Sequence, residues 1–171
     1  TAWGQGLPFP GNTWAMYFSC QQPVFVCGNP FTDGRDDKTY NTVQIGTQCW
    51  MAQNLNIGTS IDGTSTQTDN SVIEKYCYNN LESNCDIYGG LYQWDEAMNY
   101  TTNEGAQGIC PVGWHIPTFN EVNTLLTYLG GPAGTDNSAG GKMKEVGMNH
   151  WFPINVGADN SSGFTGFAAG H

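Results

Sequence analysis

The clearest periodicity in the chain lies between residues 118 and 131. Val122, Leu125, Leu126 and Leu129 recur at i, i+3, i+4 and i+7, which sets four apolar side chains on one face of a helix over 119–129. Thr118 with Glu121 makes a capping box ahead of that stripe, and Pro117 closes the extended run Trp114-His115-Ile116. Gly130-Gly131 ends the helix with residues that accept positive φ. A weaker repeat, Leu91, Trp94 and Met98, predicts a short amphipathic helix over about 90–99. Its Asp95 and Glu96 are adjacent, so they point in different directions and belong to a solvated face. Upstream, Tyr40, Val43, Ile45, Trp50 and Met51 carry strand-type side chains. With turn signals at Asp36-Asp37 and Gly46-Thr47, they predict a hairpin or meander.

The rest reads as connection. Residues 56–71 and 131–141 are rich in Gly, Ser, Thr, Asp and Asn and predict loops, residues 142–152 a short strand or turn, and residues 157–171 another Gly/Ser/Asn-rich stretch. Residues 1–31 are different, with seven aromatic rings and no charged residue. Such a segment must dock on its own domain, a neighbouring subunit or a ligand. Intrachain docking is the default.

Composition narrows the class. At 171 residues, with 12% charged residues, 23 Gly and 13% aromatics, the chain predicts one folded, loop-rich, β-leaning domain. Its net charge is −10, and its basic residues are only Arg35, Lys38, Lys75, Lys142 and Lys144. That is no footprint for a phosphate backbone, so nucleic acid and anionic membranes are not expected as partners. No run of 18 apolar residues exists to insert in a membrane. The N-terminus lacks an initiator Met and a signal-peptide pattern, as expected of a mature product or a fragment.

Six cysteines, Cys20, Cys27, Cys49, Cys77, Cys85 and Cys110, contain no Cys-x-x-Cys pair, and His115, His150 and His171 are scattered. Disulfides in an oxidising compartment therefore fit better than zinc. "CYNNLESNC" closes locally as Cys77–Cys85 around a turn-rich loop. Asp62 and Asp69 lack the alternating ligand pattern of a calcium loop, so no metal and no cofactor is expected. No Ser-His-Asp order, phosphate loop or paired carboxylates stand out, and no catalytic residue is assigned. His115 reads as the holder of a structural hydrogen bond. Trp3, Trp14 and Trp151 are candidate contact aromatics, and Asn99 and Asn160 head glycosylation triplets.

Four segments carry a resemblance: "TYNTVQIGTQCWMAQNLNIG", "EKYCYNNLESNCDIYGGLYQWDEAMNY", "CPVGWHIPTFNEVNTLL" and "GFTGFAAG". In this order they closely resemble the Fibrobacter succinogenes major paralogous domain family of secreted and surface proteins. The resemblance covers 32–171 and leaves 1–31 as an aromatic-rich N-terminal extension. Relatives with the related Leu-Pro-Thr-x-x-Glu-Trp motif have Trp where this chain has Val122. The resemblance implies an α+β, C-type-lectin-like fold: a small twisted antiparallel sheet, helices near 90–99 and 119–129, and long disulfide-stapled loops. It also implies C-terminal strands, one bearing a cysteine, that this chain lacks. Hence either Cys110 pairs with Cys20 or the chain is cut, and Cys27–Cys49 brackets the first hairpin. The function implied is a non-catalytic, extracellular bacterial surface protein acting by adhesion or ligand binding, carbohydrate or protein. The alternatives are a subunit of an extracellular filament or surface layer and, by kinship with sulfatase-modifying factors, an enzyme. Partners would be surface polysaccharide or further copies of the chain.

Overall fold

The computed structural model describes residues 25–131, 138–151 and 154–168, and its first element is a hairpin. Strands β1 (Phe31–Asp33) and β2 (Lys38–Tyr40) pair antiparallel around the Asp36-Asp37 turn. Asp33 holds that turn twice: its carbonyl accepts the Asp37 amide at 2.9 Å, and its carboxylate accepts the Arg35 amide at 3.1 Å. Strands β3 (Thr42–Ile45) and β4 (Gln48–Met51) form a second antiparallel pair. They turn at Gly46, whose φ of 60° and close approach to the Tyr128 ring both favour glycine. A third ladder, β5 (Thr59–Ser60) with β6 (Glu74–Lys75), is parallel and lifts two residues out of the segment predicted as loop.

Among the described residues, four α-helices complete an α+β domain: α1 (Glu82–Tyr88), α2 (Trp94–Ala97), α3 (Phe119–Leu129) and α4 (Ser138–Met143). Helix α3 has the predicted bounds. The Thr118 hydroxyl accepts the Glu121 amide at 3.2 Å while the Glu121 carboxylate accepts the Thr118 amide at 2.8 Å. Its Leu125 and Leu129 are buried with Ile45 and Ala139, and Val43, Trp50, Leu126, Met143 and Phe164 pack around them. The core therefore lies between the β3–β4 hairpin, α3 and α4.

The structure corrects the reading at several elements. Helix α2 is shorter than 90–99 because Leu91 is taken by a main-chain bridge to Tyr76, with both N–H···O bonds at 2.9 Å. Of its predicted stripe, Met98 is buried but Trp94 is 67% exposed. Glu96 is buried, not solvated, and accepts the Glu74 amide at 2.8 Å and the Tyr100 hydroxyl at 2.9 Å. Helix α1 fills what reads as a turn-rich loop. Helix α4, "SAGGKM", forms despite two glycines of low helix propensity. Tertiary contact decides there: Gly141 is buried against the Gly157 carbonyl where a Cβ would collide, and Lys142 Nζ caps the end of α3 through the Leu129 carbonyl at 2.6 Å.

Two disulfides are present among the described residues, Cys27–Cys49 with Cα atoms 5.8 Å apart and Cys77–Cys85 with 5.0 Å. Cys110, expected in a disulfide, is a buried free thiol among the described residues, and its suggested partner Cys20 lies outside them, as do Trp3 and Trp14. The described end of the charge-free segment docks on its own chain: Phe25 and Phe31 lie 5.4 and 5.2 Å from the Trp114 ring. Among the described residues, no helix is long and apolar enough to cross a membrane.

Candidate functional site

Between Cys110 and α3 the chain turns at Val112-Gly113 and then runs without regular secondary structure along the surface as a ridge. It is pinned by main-chain bonds from Ile109 to Ala97 at 3.0 Å and from Ile116 to Ala106 at 2.9 Å. Arg35 fastens its base, donating from Nη1 to the Ile109 carbonyl at 2.9 Å while its Nε and Nη2 grip the Asp33 carboxylate at 2.9 and 2.6 Å. Those bonds hold the Asp33 carboxyl below its usual range. At the other end His115 Nε2 meets both carboxylate oxygens of Glu121 at 2.9 Å, the structural role predicted for it.

A cleft opens on each side of this ridge, and Pro117 lines both. The first, about 400 Å³, is walled by Phe25, Gln48, Trp50, Trp114, His115 and Glu121. Its rings are fixed from behind: Trp114 stacks on Phe31, which stacks on Tyr40 at 5.6 Å, and Trp50 leans on Phe164 at 6.2 Å. Trp50 Nε1 and Gln48 Oε1 are buried without a hydrogen-bond partner among the described residues, an unmatched donor and acceptor in that wall. The second cleft, about 380 Å³, is lined by Trp94, Asp95, Met98, Thr101, Glu104, Thr118 and Phe119. Here the rings face water: Trp94 is 67% and Phe119 75% exposed. Two large exposed rings thus flank one groove, a candidate contact surface.

Two of the carboxylates lining the clefts already hold main-chain amides. Glu121 is held below its usual range, first by the Thr118 amide and then by His115, and Glu104 accepts the Phe119 amide at 3.2 Å. With Asp95 beside them and a net charge of −10, the clefts repel anions. Each cleft thus combines aromatic faces with carboxylate or hydroxyl groups.

Trp151 does not join this surface. It is half-buried under Lys144, whose Nζ lies 5.4 Å from its ring. The aromatics that line the two clefts are Trp94, Phe119, Trp50 and Trp114, which the sequence distributes among a helix stripe, a hairpin and a structural clamp. Phe119 left a signal, an aromatic in the first turn ahead of a stripe already complete. Nothing in the sequence marks Trp94. Asn99 is exposed, whereas Asn160 is engaged by Thr165, with its Nδ2 3.0 Å from Oγ1 and its Oδ1 2.9 Å from the amide. The Asp62 carboxylate is occupied by Thr64 and Asn80. Cys77, Glu82 and Cys85 cluster like metal ligands, but both sulfurs are spent in a disulfide.

Residues 43–171 match the family model described as the Fibrobacter succinogenes major domain. No curated protein and no solved structure matches the chain.

Proposed function

Because the chain belongs to the Fibrobacter succinogenes major domain family, whose description names a domain and no activity, we propose that it is a non-catalytic surface module that binds neutral polysaccharide. The observation that carries this reading is the exposure of Trp94 and Phe119 along one groove, backed by a second aromatic cleft across the ridge. Sugar rings present apolar faces to such rings and hydroxyls to carboxylates and threonines. Two clefts sharing Pro117 suit a chain of sugars laid across the ridge. The module works outside the cell, where its two disulfides persist. Its α+β architecture with disulfide-bonded loops supports the C-type-lectin-like reading of the fold.

Binding is favoured over chemistry by the state of the reactive groups. Burial pushes the Cys110 thiol up to about 11, the opposite of an activated nucleophile. Glu121, tied into the helix cap and held ionised, is poorly placed to give up a proton. A second reading, the filament subunit, is favoured by the two-stranded ladders, whose outer edges another copy could extend.

The test is a panel of neutral oligosaccharides and polysaccharides followed by tryptophan fluorescence and calorimetry. Wild type should bind in the micromolar to millimolar range. Trp94→Ala and Phe119→Ala, both at exposed positions, should weaken binding roughly tenfold, the equivalent of about 1.4 kcal/mol. Absence of binding to every neutral saccharide refutes the proposal, and binding untouched by both variants refutes the groove. Elution as filaments by light scattering and electron microscopy would favour the second reading.

A further inference from the structure

Lys75, at the end of β6, is 3% exposed. Lysines are buried almost only when partnered, and the partners here are chemically suggestive. Nζ lies 2.6 Å from Oδ1 of Asn56, itself buried, and 3.2 Å from Oε1 of Glu82. An amine, a carboxamide and a carboxylate thus converge. The first two are held by the fold: the Asn56 main-chain N–H donates to the Tyr40 hydroxyl at 3.0 Å, and Ser60 pairs with Lys75 in the parallel ladder. Glu82 opens α1, which the Cys77–Cys85 bridge ties back to the chain just beyond Lys75.

We propose that Lys75 and Asn56 join in an intramolecular isopeptide bond, with Glu82 carrying the proton. The Glu82 carboxylate takes a proton from the Lys75 ammonium, and the freed lone pair attacks Cγ of Asn56, forming the C–N bond. Glu82 returns that proton to Nδ2, the Cγ–Nδ2 bond breaks, and ammonia departs. Nζ sheds a second proton, which leaves with the ammonia as ammonium. Atoms and charge balance without oxidant, reductant or co-reactant. Orientation supplies the drive, since the amine already touches the Asn56 carbonyl oxygen at 2.6 Å, next to the carbon it must reach, and near-attack geometry of about 3–3.5 Å needs only a small shift. A cavity of about 210 Å³ lined by Asn56 gives ammonia an exit. The link closes the polar loop between 56 and 75 and restricts the unfolded chain as a disulfide does, but does not yield to reductant.

The test is mass spectrometry of the full chain after reduction and alkylation. Wild type should weigh one ammonia less than its sequence. Trypsin should fail after Lys75, so that residues 39–142 run as one peptide with fragment ions linking 56 to 75. Glu82→Gln changes a side chain that is 59% exposed, so the fold survives; it should restore the full mass and cleavage at Lys75. Full mass with cleavage at Lys75 in wild type overturns the proposal, and so does an ammonia lost from any other asparagine. A Glu82→Gln protein linked as completely as wild type overturns the proton-carrying role.

Discussion

Replacing both Cys27 and Cys49 with alanine tests what holds the first cleft together. The two are 22 residues apart, and on the chain-entropy account closing a loop of that size stabilises the fold by about 3.4 kcal/mol. The same arithmetic for Cys77–Cys85, 8 residues apart, gives about 2.5 kcal/mol. The larger loop carries a further contribution, because Cys27 holds Phe25 edge-on to Trp114 at 5.4 Å, and loss of such a ring contact costs about 1 kcal/mol. The expected loss is therefore roughly 4 kcal/mol, a large fraction of a domain stability of about 5–15 kcal/mol. Both cysteines are replaced together, since a lone thiol could exchange with Cys110. Urea unfolding at 25 °C followed by far-UV circular dichroism reads the effect. With a urea slope near 2 kcal/mol per molar, the midpoint should fall by about 2 M. The second cleft should still bind its ligand, because Phe25 does not line it. A loss below about 1.5 kcal/mol would refute the account of this bridge as the clamp on Phe25.

Leu125→Ala removes a side chain 3% exposed at the centre of the core and should cost about 3 kcal/mol in the same urea assay. A cost below about 1 kcal/mol would place the core elsewhere. Asp33, whose carboxyl is held low by Arg35, contributes stability that is present above its unfolded pKa of about 3.9 and is lost as pH falls through the lower folded value. Asp33→Asn should therefore destabilise by about 2 kcal/mol at neutral pH, with the gap from wild type closing below about pH 4. A gap unchanged from pH 7 to pH 2 would contradict that pairing.

Legibility followed the range of the interactions. Helix α3 was readable to the residue because its cap, stripe and stop are local: Thr118 and Glu121 satisfy each other, and Gly130 follows at a φ of 123°. The hairpin turns at Asp36-Asp37 and Gly46-Thr47 were readable for the same reason, as was Cys77–Cys85, whose spacing leaves little room for another partner. Helix α4 was not, because its glycines oppose a helix locally and only the approach of Gly157 and the Leu129 carbonyl rewards one. The same applies to Glu96, buried by the arrival of the Glu74 amide, and to Trp94, left in water once Leu91 is drawn into its bridge with Tyr76.

The amino-acid order alone thus determined the hairpin turns, the main helix, the local Cys77–Cys85 bridge and the acidic charge of the chain. Each depends on neighbours a few positions away or on composition. Only the folded arrangement decided which rings face water, which carboxylates are spent and where Lys75 meets Asn56. Those outcomes rest on contacts between distant segments, such as Arg35 with Ile109 and Gln48 with Glu121, whose meeting depends on the packing of the whole domain and not on any local preference.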